Sequence, residues 1–149
     1  MTPQTPTNLL QAAVIASKNA YAPYSNFKVG AAVHTLDGSV FLGANMENAS
    51  YGVTVCAEVG ALQAAATAGQ LANISCIAVV GGSVENSKPN EPAITPCGRC
   101  RQLIYEASRL GGRELDVWCA DAELKSISKF TISELLPHGF YPEKLGGRS

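Results

Sequence analysis

"CAEVGALQAAATA", residues 56–68, is dense in small helix formers and runs into Gly69, a glycine placed to end a helix. Alanine on most faces predicts a buried helix that packs closely on a sheet. The flanks say what kind of sheet. Upstream, "KVGAAVHTL" (28–36) and "SVFLGAN" (39–45) flank Asp37-Gly38, a strong hairpin signal, which predicts two antiparallel strands. Downstream, "SCIAVVGG" (75–82) is a short continuous apolar run closed by two glycines, the pattern of a central strand covered on both faces.

Further out, "TNLLQAAVIASKNAY" reads as an amphipathic helix with Leu10, Val14, Ala16 and Ala20 on its apolar side and Thr7 or Asn8 as N-cap. A polar loop, "SVENSKPNEPAITP", leads to Cys97. "CGRCRQLIYEASRLGG" (97–112) then reads as a helix ending at Gly111-Gly112, "ELDVWCA" (114–120) as a strand, and "TISELLP" (131–137) as a short helix whose Thr131 and Glu134 have capping-box spacing. Helix, hairpin, helix, strand, helix, strand, helix implies a mixed sheet between helices: an α/β fold, specifically a three-layer α/β/α sandwich, in one domain over residues 1–149.

Composition narrows the function classes. Eleven Lys plus Arg against twelve Asp plus Glu leave a formal charge of -1, and no block of five like charges occurs. Nucleic acid is thereby disfavoured as a partner, because polyanion binding needs clustered positive charge. The start "MTPQTPTN" has no basic n-region or apolar h-region, and no apolar run reaches the roughly 18 residues a bilayer requires, so a cytoplasmic protein without membrane partners is expected. The 46% hydrophobic content supplies one core, and five cysteines in a reducing compartment point to metal, catalysis or burial rather than disulfides.

Those cysteines fall into a pattern. "TVCAEVG" (54–60) and "TPCGRC" (95–100) each place a thiol at the start of a predicted helix, where free N–H groups and the dipole favour thiolate. Alone, "CGRC" reads equally as a redox pair, a structural metal clip or part of a catalytic centre. Together, Cys56, Cys97 and Cys100 are one ligand short of tetrahedral zinc, which leaves a position for water, as in catalytic sites. Cys56 and Glu58 would diverge by roughly 200° inside a regular helix. Both face one site only if Cys56 sits at the helix tip, and Glu58 then stands beside the metal as a proton carrier. Cys76 and Cys119, within apolar strand segments, read as small core residues.

"C-A-E" followed some forty residues on by "P-C-x-x-C" resembles the zinc-dependent cytidine deaminase superfamily, whose signature also occurs with histidine in place of the first cysteine. "YAPYSNFKVGAAV" (21–33), "NMENASYG" (45–52), "PCGRCRQ" (96–102) and "ELLPHGF" (134–140) are similar, in order and spacing, to the homotetrameric cytidine deaminases. The resemblance implies a mixed five-stranded sheet, Zn²⁺ as cofactor, a homotetramer, and hydrolytic conversion of cytidine or deoxycytidine to the uracil nucleoside in pyrimidine salvage. It implies Glu58 as proton shuttle, Asn45 and Glu47 at the ribose, Phe27 beside the base, and the Ala57 backbone in contact with it. Ala49, Tyr51 and Phe140 resemble residues that reach a neighbouring subunit's site.

One departure stands out. Three thiolates on Zn²⁺ sum to -1, and many relatives follow C-A-E with an arginine that draws charge from sulfur, where this chain has Val59. Arg99, between the two cysteines, is the expected replacement. Blasticidin-type deaminases also lack that arginine, which makes another aminopyrimidine nucleoside the alternative substrate. A non-catalytic zinc or redox module is the alternative of a different class.

Overall fold

The computed structural model describes residues 6–85, 88–141 and 143; the opening "MTPQT", used above to argue against a signal segment, lies outside them. The elements run α1 (Pro6–Ser17), β1 (Phe27–Thr35), β2 (Val40–Ala44), α2 (Ala57–Thr67), β3 (Ile74–Ser83), α3 (Gly98–Gly111), β4 (Asp116–Asp121), β5 (Ile127–Thr131) and α4 (Ile132–Leu135). The strands form one sheet in the order β2-β1-β3-β4-β5. β3 and β4 are parallel, with α3 in the crossover, and the other pairings are antiparallel.

The alternation of side chains along β1 sorts the helices into layers. Ala32 faces Leu9, Leu10 and Ala13 of α1, whereas Ala31 and Val33 face Ala57, Ala61 and Ala65 of α2 and Ile104 and Ala107 of α3. Two glycines set how closely the helices approach. A Cβ on Gly30 would lie 1.9 Å from the Ala13 carbonyl oxygen of α1, and one on Gly43 would lie 2.1 Å from the Ala57 carbonyl oxygen of α2. The hairpin can therefore be clamped from both sides, and the first turn of α2 sits directly on the end of β2.

Most expected elements are present at nearly their expected bounds. Gly38 takes φ 89° in the hairpin turn, Gly69 φ 74° after α2 and Gly112 φ 64° after α3. Thr131 and Glu134 form the capping box. β3 is the central strand, buried from Ile77 to Gly82. Cys119 is buried and Cys76 packs partly buried against the α1-side core, as small core residues do.

Three expectations need correction. Thr7 and Asn8 lie within the first turn of α1, behind Pro6, whose fixed φ and missing N–H suit a helix start. α2 buries one stripe, Ala57, Glu58, Ala61, Leu62 and Ala65, while Ala66 and Ala68 face outward, because only one face meets the sheet. The five-stranded mixed sheet that the resemblance implies is present, but the strand-by-strand reading found only four strands and missed β5, an edge strand that pairs with β4.

Candidate metal centre and substrate cavity

The chain reaches Cys56 along a short cross-brace. Met46 and Val55 exchange both backbone hydrogen bonds at 2.9 Å, and Met46 also bridges to Tyr21. Val55 is thereby fixed, and Cys56 follows as the N-cap of α2 with φ -72° and ψ 153°. Cys97 occupies the same position on α3, with φ -66° and ψ 166°. Neither thiol makes a capping hydrogen bond to its own helix. Cys100, one turn into α3, is buried.

The three sulfurs lie within 4.8 Å of one another, and Cys56 Sγ to Cys97 Sγ is 3.9 Å. Tetrahedral zinc with Zn–S bonds of about 2.3 Å requires S···S edges of about 3.8 Å. The donor set and spacing fit a zinc site. Burial, with the neighbouring Cys97 and Glu58 charges, raises Cys56, and burial followed by the Glu58 charge drives Cys100 far up. Cys97 is held below the ordinary thiol value: burial opposes this, but hydrogen bonds from the Cys100 N–H and from the Cys100 and Cys56 thiols outweigh it. A divalent ion bound between the sulfurs would favour the thiolate form of each.

Glu58 is 4% exposed. Burial pushes its carboxyl above the usual carboxylate range, and hydrogen bonds at its own backbone N–H and the Cys100 thiol offset this only in part. It borders a cavity of about 350 Å³ whose lining also includes Phe27, Asn45, Cys56, Ala57 and Cys97. Seven of the expected site residues, counting Cys100 behind the wall, thus come together around one space. Val29, Thr54, Ile94 and Thr95 line it too, and sequence reasoning passed over them although Thr95 lies within the quoted "TPCGRC".

A second recess of about 410 Å³, lined by Tyr24, Ser25, Glu47, Tyr51 and Thr54, shares Thr54 with the first. Glu47 accepts hydrogen bonds there from the Tyr24 N–H at 3.0 Å, the Ser25 N–H at 3.2 Å and the Ser25 hydroxyl at 2.5 Å. The Ser25 hydroxyl bond is the main reason its carboxyl titrates below the usual value. Asn45 is bound into the backbone: its Oδ1 accepts from the Val29 N–H at 2.8 Å and its Nδ2 donates to the Phe27 carbonyl at 2.9 Å. That leaves the amide one N–H to offer a ligand. Asn26, at φ 54°, turns the chain between Ser25 and Phe27.

The remaining expected residues do not line the Glu58 cavity. Ala49 is exposed and borders neither space. Tyr51 is 74% exposed and packs edge-on to Tyr24 of its own chain, centroids 5.6 Å apart. Phe140 is 55% exposed, held at its backbone by the Gln102 side chain, with Gly139 packed on the Tyr105 ring. Arg99 is exposed in the first turn of α3, forms no hydrogen bond or ion pair among the described residues, and is not among the groups acting on the three thiols. The arginine tied into the site is Arg101.

Fold and site together define an α/β/α domain with a zinc-fitting tri-cysteine centre at the N-termini of two helices, beside a buried glutamate. Residues 3–110 match the model of the cytidine and deoxycytidylate deaminase zinc-binding region, and the chain belongs to that family. It is 42% identical over 137 residues to a cytidine deaminase of Halalkalibacterium halodurans, covering 92% of this chain and 95% of that one. It is 40% identical over 116 residues to a cytidine deaminase of Mycobacterium tuberculosis, 76% of this chain and 77% of that one. The crystal structure of cytidine deaminase from Burkholderia pseudomallei superposes with a TM-score of 0.79 at 44% identity, over 91% of this chain and 99% of that one.

Proposed function

We propose that the protein is a zinc-dependent cytidine deaminase that hydrolyses cytidine or deoxycytidine to the uracil nucleoside and ammonia. The observation that carries this is the buried Glu58 carboxyl beside three converging sulfurs on one small-molecule-sized cavity. Cys56, Cys97 and Cys100 would hold the zinc, which supplies Lewis acidity that brings the deprotonation of water toward neutral pH. Glu58 accepts a proton from the attacking water and delivers it to N3 as the C4–O bond forms, then takes the remaining proton from the new C4 hydroxyl and gives it to the amine as C4–N4 breaks, leaving a C4 carbonyl and ammonia. Its burial suits a carboxyl that must both take and give a proton near neutrality. Phe27 packs beside the base, the Ala57 backbone contacts it, and the free Asn45 N–H and the oriented Glu47 carboxylate bind the ribose hydroxyls.

The exposed Tyr51 and Phe140 support a homotetramer whose neighbours complete each other's sites, with Ala49 at that junction. The near-neutral charge and the absence, among the described residues, of a helix able to cross a membrane agree with a cytoplasmic role in pyrimidine salvage by a single domain over residues 1–149. Ammonia release from zinc-loaded protein is the test, with cytidine, deoxycytidine and other aminopyrimidine nucleosides as substrates. Glu58→Gln should lower kcat on cytidine by roughly a hundred- to ten-thousand-fold while zinc content stays unchanged. No ammonia from any nucleoside, or full activity in Glu58→Gln, would overturn the reading.

A further inference from the structure

We infer that Arg101 is the positioning residue of this site: its guanidinium staples the cavity wall at Thr95 and Pro96, immediately before Cys97, to the end of α4. Nε donates to the Pro96 carbonyl at 2.7 Å, Nη2 to the Thr95 hydroxyl at 3.0 Å and Nη1 to the Leu135 carbonyl at 3.0 Å. The staple is needed because of what the wall is made of. Between the end of β3 and the start of α3 no described residue belongs to a helix or strand, so no ladder of backbone bonds fixes this stretch. Pro96 has no N–H to donate. Among the described residues, the hydrogen bonds that reach Thr95 and Pro96 are those from Arg101.

Arg101 itself is well anchored. It stands on α3 four residues beyond Cys97, whose carbonyl accepts the Arg101 N–H at 2.9 Å. One planar fork thus holds the backbone on the N-terminal side of one sulfur ligand, a side chain of the cavity lining, and the buried end of α4 in fixed relation. An ammonium on a flexible stem cannot meet three acceptors in that geometry. Arg101 touches neither the sulfurs nor the cavity, so its influence passes through Thr95, Pro96 and Cys97. The kinetic part of this inference rests on the cytidine deaminase reading; the metal-retention part does not.

The test compares zinc-loaded wild type, Arg101→Ala and Arg101→Lys for zinc release to a chromogenic chelator, for kcat and KM on cytidine, and for Tm. A charged hydrogen-bond set of this kind predicts that Arg101→Ala releases zinc about tenfold faster and loses kcat/KM by about ten- to a hundredfold. Arg101→Lys should recover only part of each, and added methylguanidinium should partly rescue Arg101→Ala. A lowered Tm with unchanged zinc release, kcat and KM, and no guanidinium rescue, would mean ordinary fold stabilisation and would overturn the inference. Should Arg101→Ala fail to fold, Thr95→Val, which removes one acceptor and leaves the arginine, should still speed zinc release by a few fold; zinc release at the wild-type rate there and in Arg101→Lys overturns it equally. Wild type that holds zinc but deaminates no cytidine would sink the proposed function and leave the release comparison standing.

Discussion

Tyr51 and Glu58 are near neighbours in sequence, yet the first is 74% exposed and the second 4%. Around Glu58, the sulfurs and the carboxyl all come from the starts of two helices of this one chain, Cys56 and Glu58 at α2 and Cys97 and Cys100 at α3. Around Tyr51, the chain runs as a single 3-10 turn, and Met46, Tyr51 and Val53 all present large apolar surface to solvent. The floor of the site is finished within one chain by helix geometry. The rim offers apolar and aromatic surface that the described residues leave largely exposed, and a neighbouring subunit is its proposed cover.

That contrast can be broken at the floor first. Stripping zinc with a chelator should abolish turnover, by about three orders of magnitude or more for the loss of several kcal/mol of Lewis-acid stabilisation, and adding zinc back should restore it. Metal-free protein that still released ammonia would remove the floor's claim to the chemistry.

The rim carries a smaller expected effect. Tyr51→Ala and Phe140→Ala should each raise KM for cytidine by about tenfold, the scale of a lost aromatic contact, and should lower the native mass measured by light scattering. A monomer with wild-type kcat/KM would show that the rim needs no neighbour.

The smallest effect lies between the two regions. Glu47 titrates below the ordinary carboxylate value chiefly because of the Ser25 hydroxyl. Its ionised form persists above that depressed value and is lost as pH falls through it. In Ser25→Ala the carboxyl moves back up, so KM should begin to rise at a higher pH on the acidic side, with little change at neutral pH. Superimposable KM profiles for the two proteins would show that Glu47 binds nothing in its charged form.

Legibility followed how local the cause was. Asp37-Gly38 encodes its own turn, Thr131 and Glu134 their own capping box, and Cys56 and Cys97 fall at helix starts because glycine, proline and helix formers on either side fix those starts. β5 was not legible, since "ISKFT" alternates weakly and becomes a strand only through β4 beside it. The two arginines show the same limit. Arg99 lies between the cysteines in the sequence and faces solvent, whereas Arg101, two residues on, reaches Thr95, Pro96 and Leu135.

By itself, then, the sequence determined the helices and strands that carry their own start and stop signals, and the identity of the sulfur and carboxyl groups available for chemistry. Tertiary structure alone decided that two helix tips from distant stretches meet at 3.9 Å, that Glu58 is stripped of water, and which arginine braces the wall. The physical reason is range. Turns and caps are set by bonds spanning a few residues, while convergence, burial and bracing depend on the sheet that brings remote parts of the chain together.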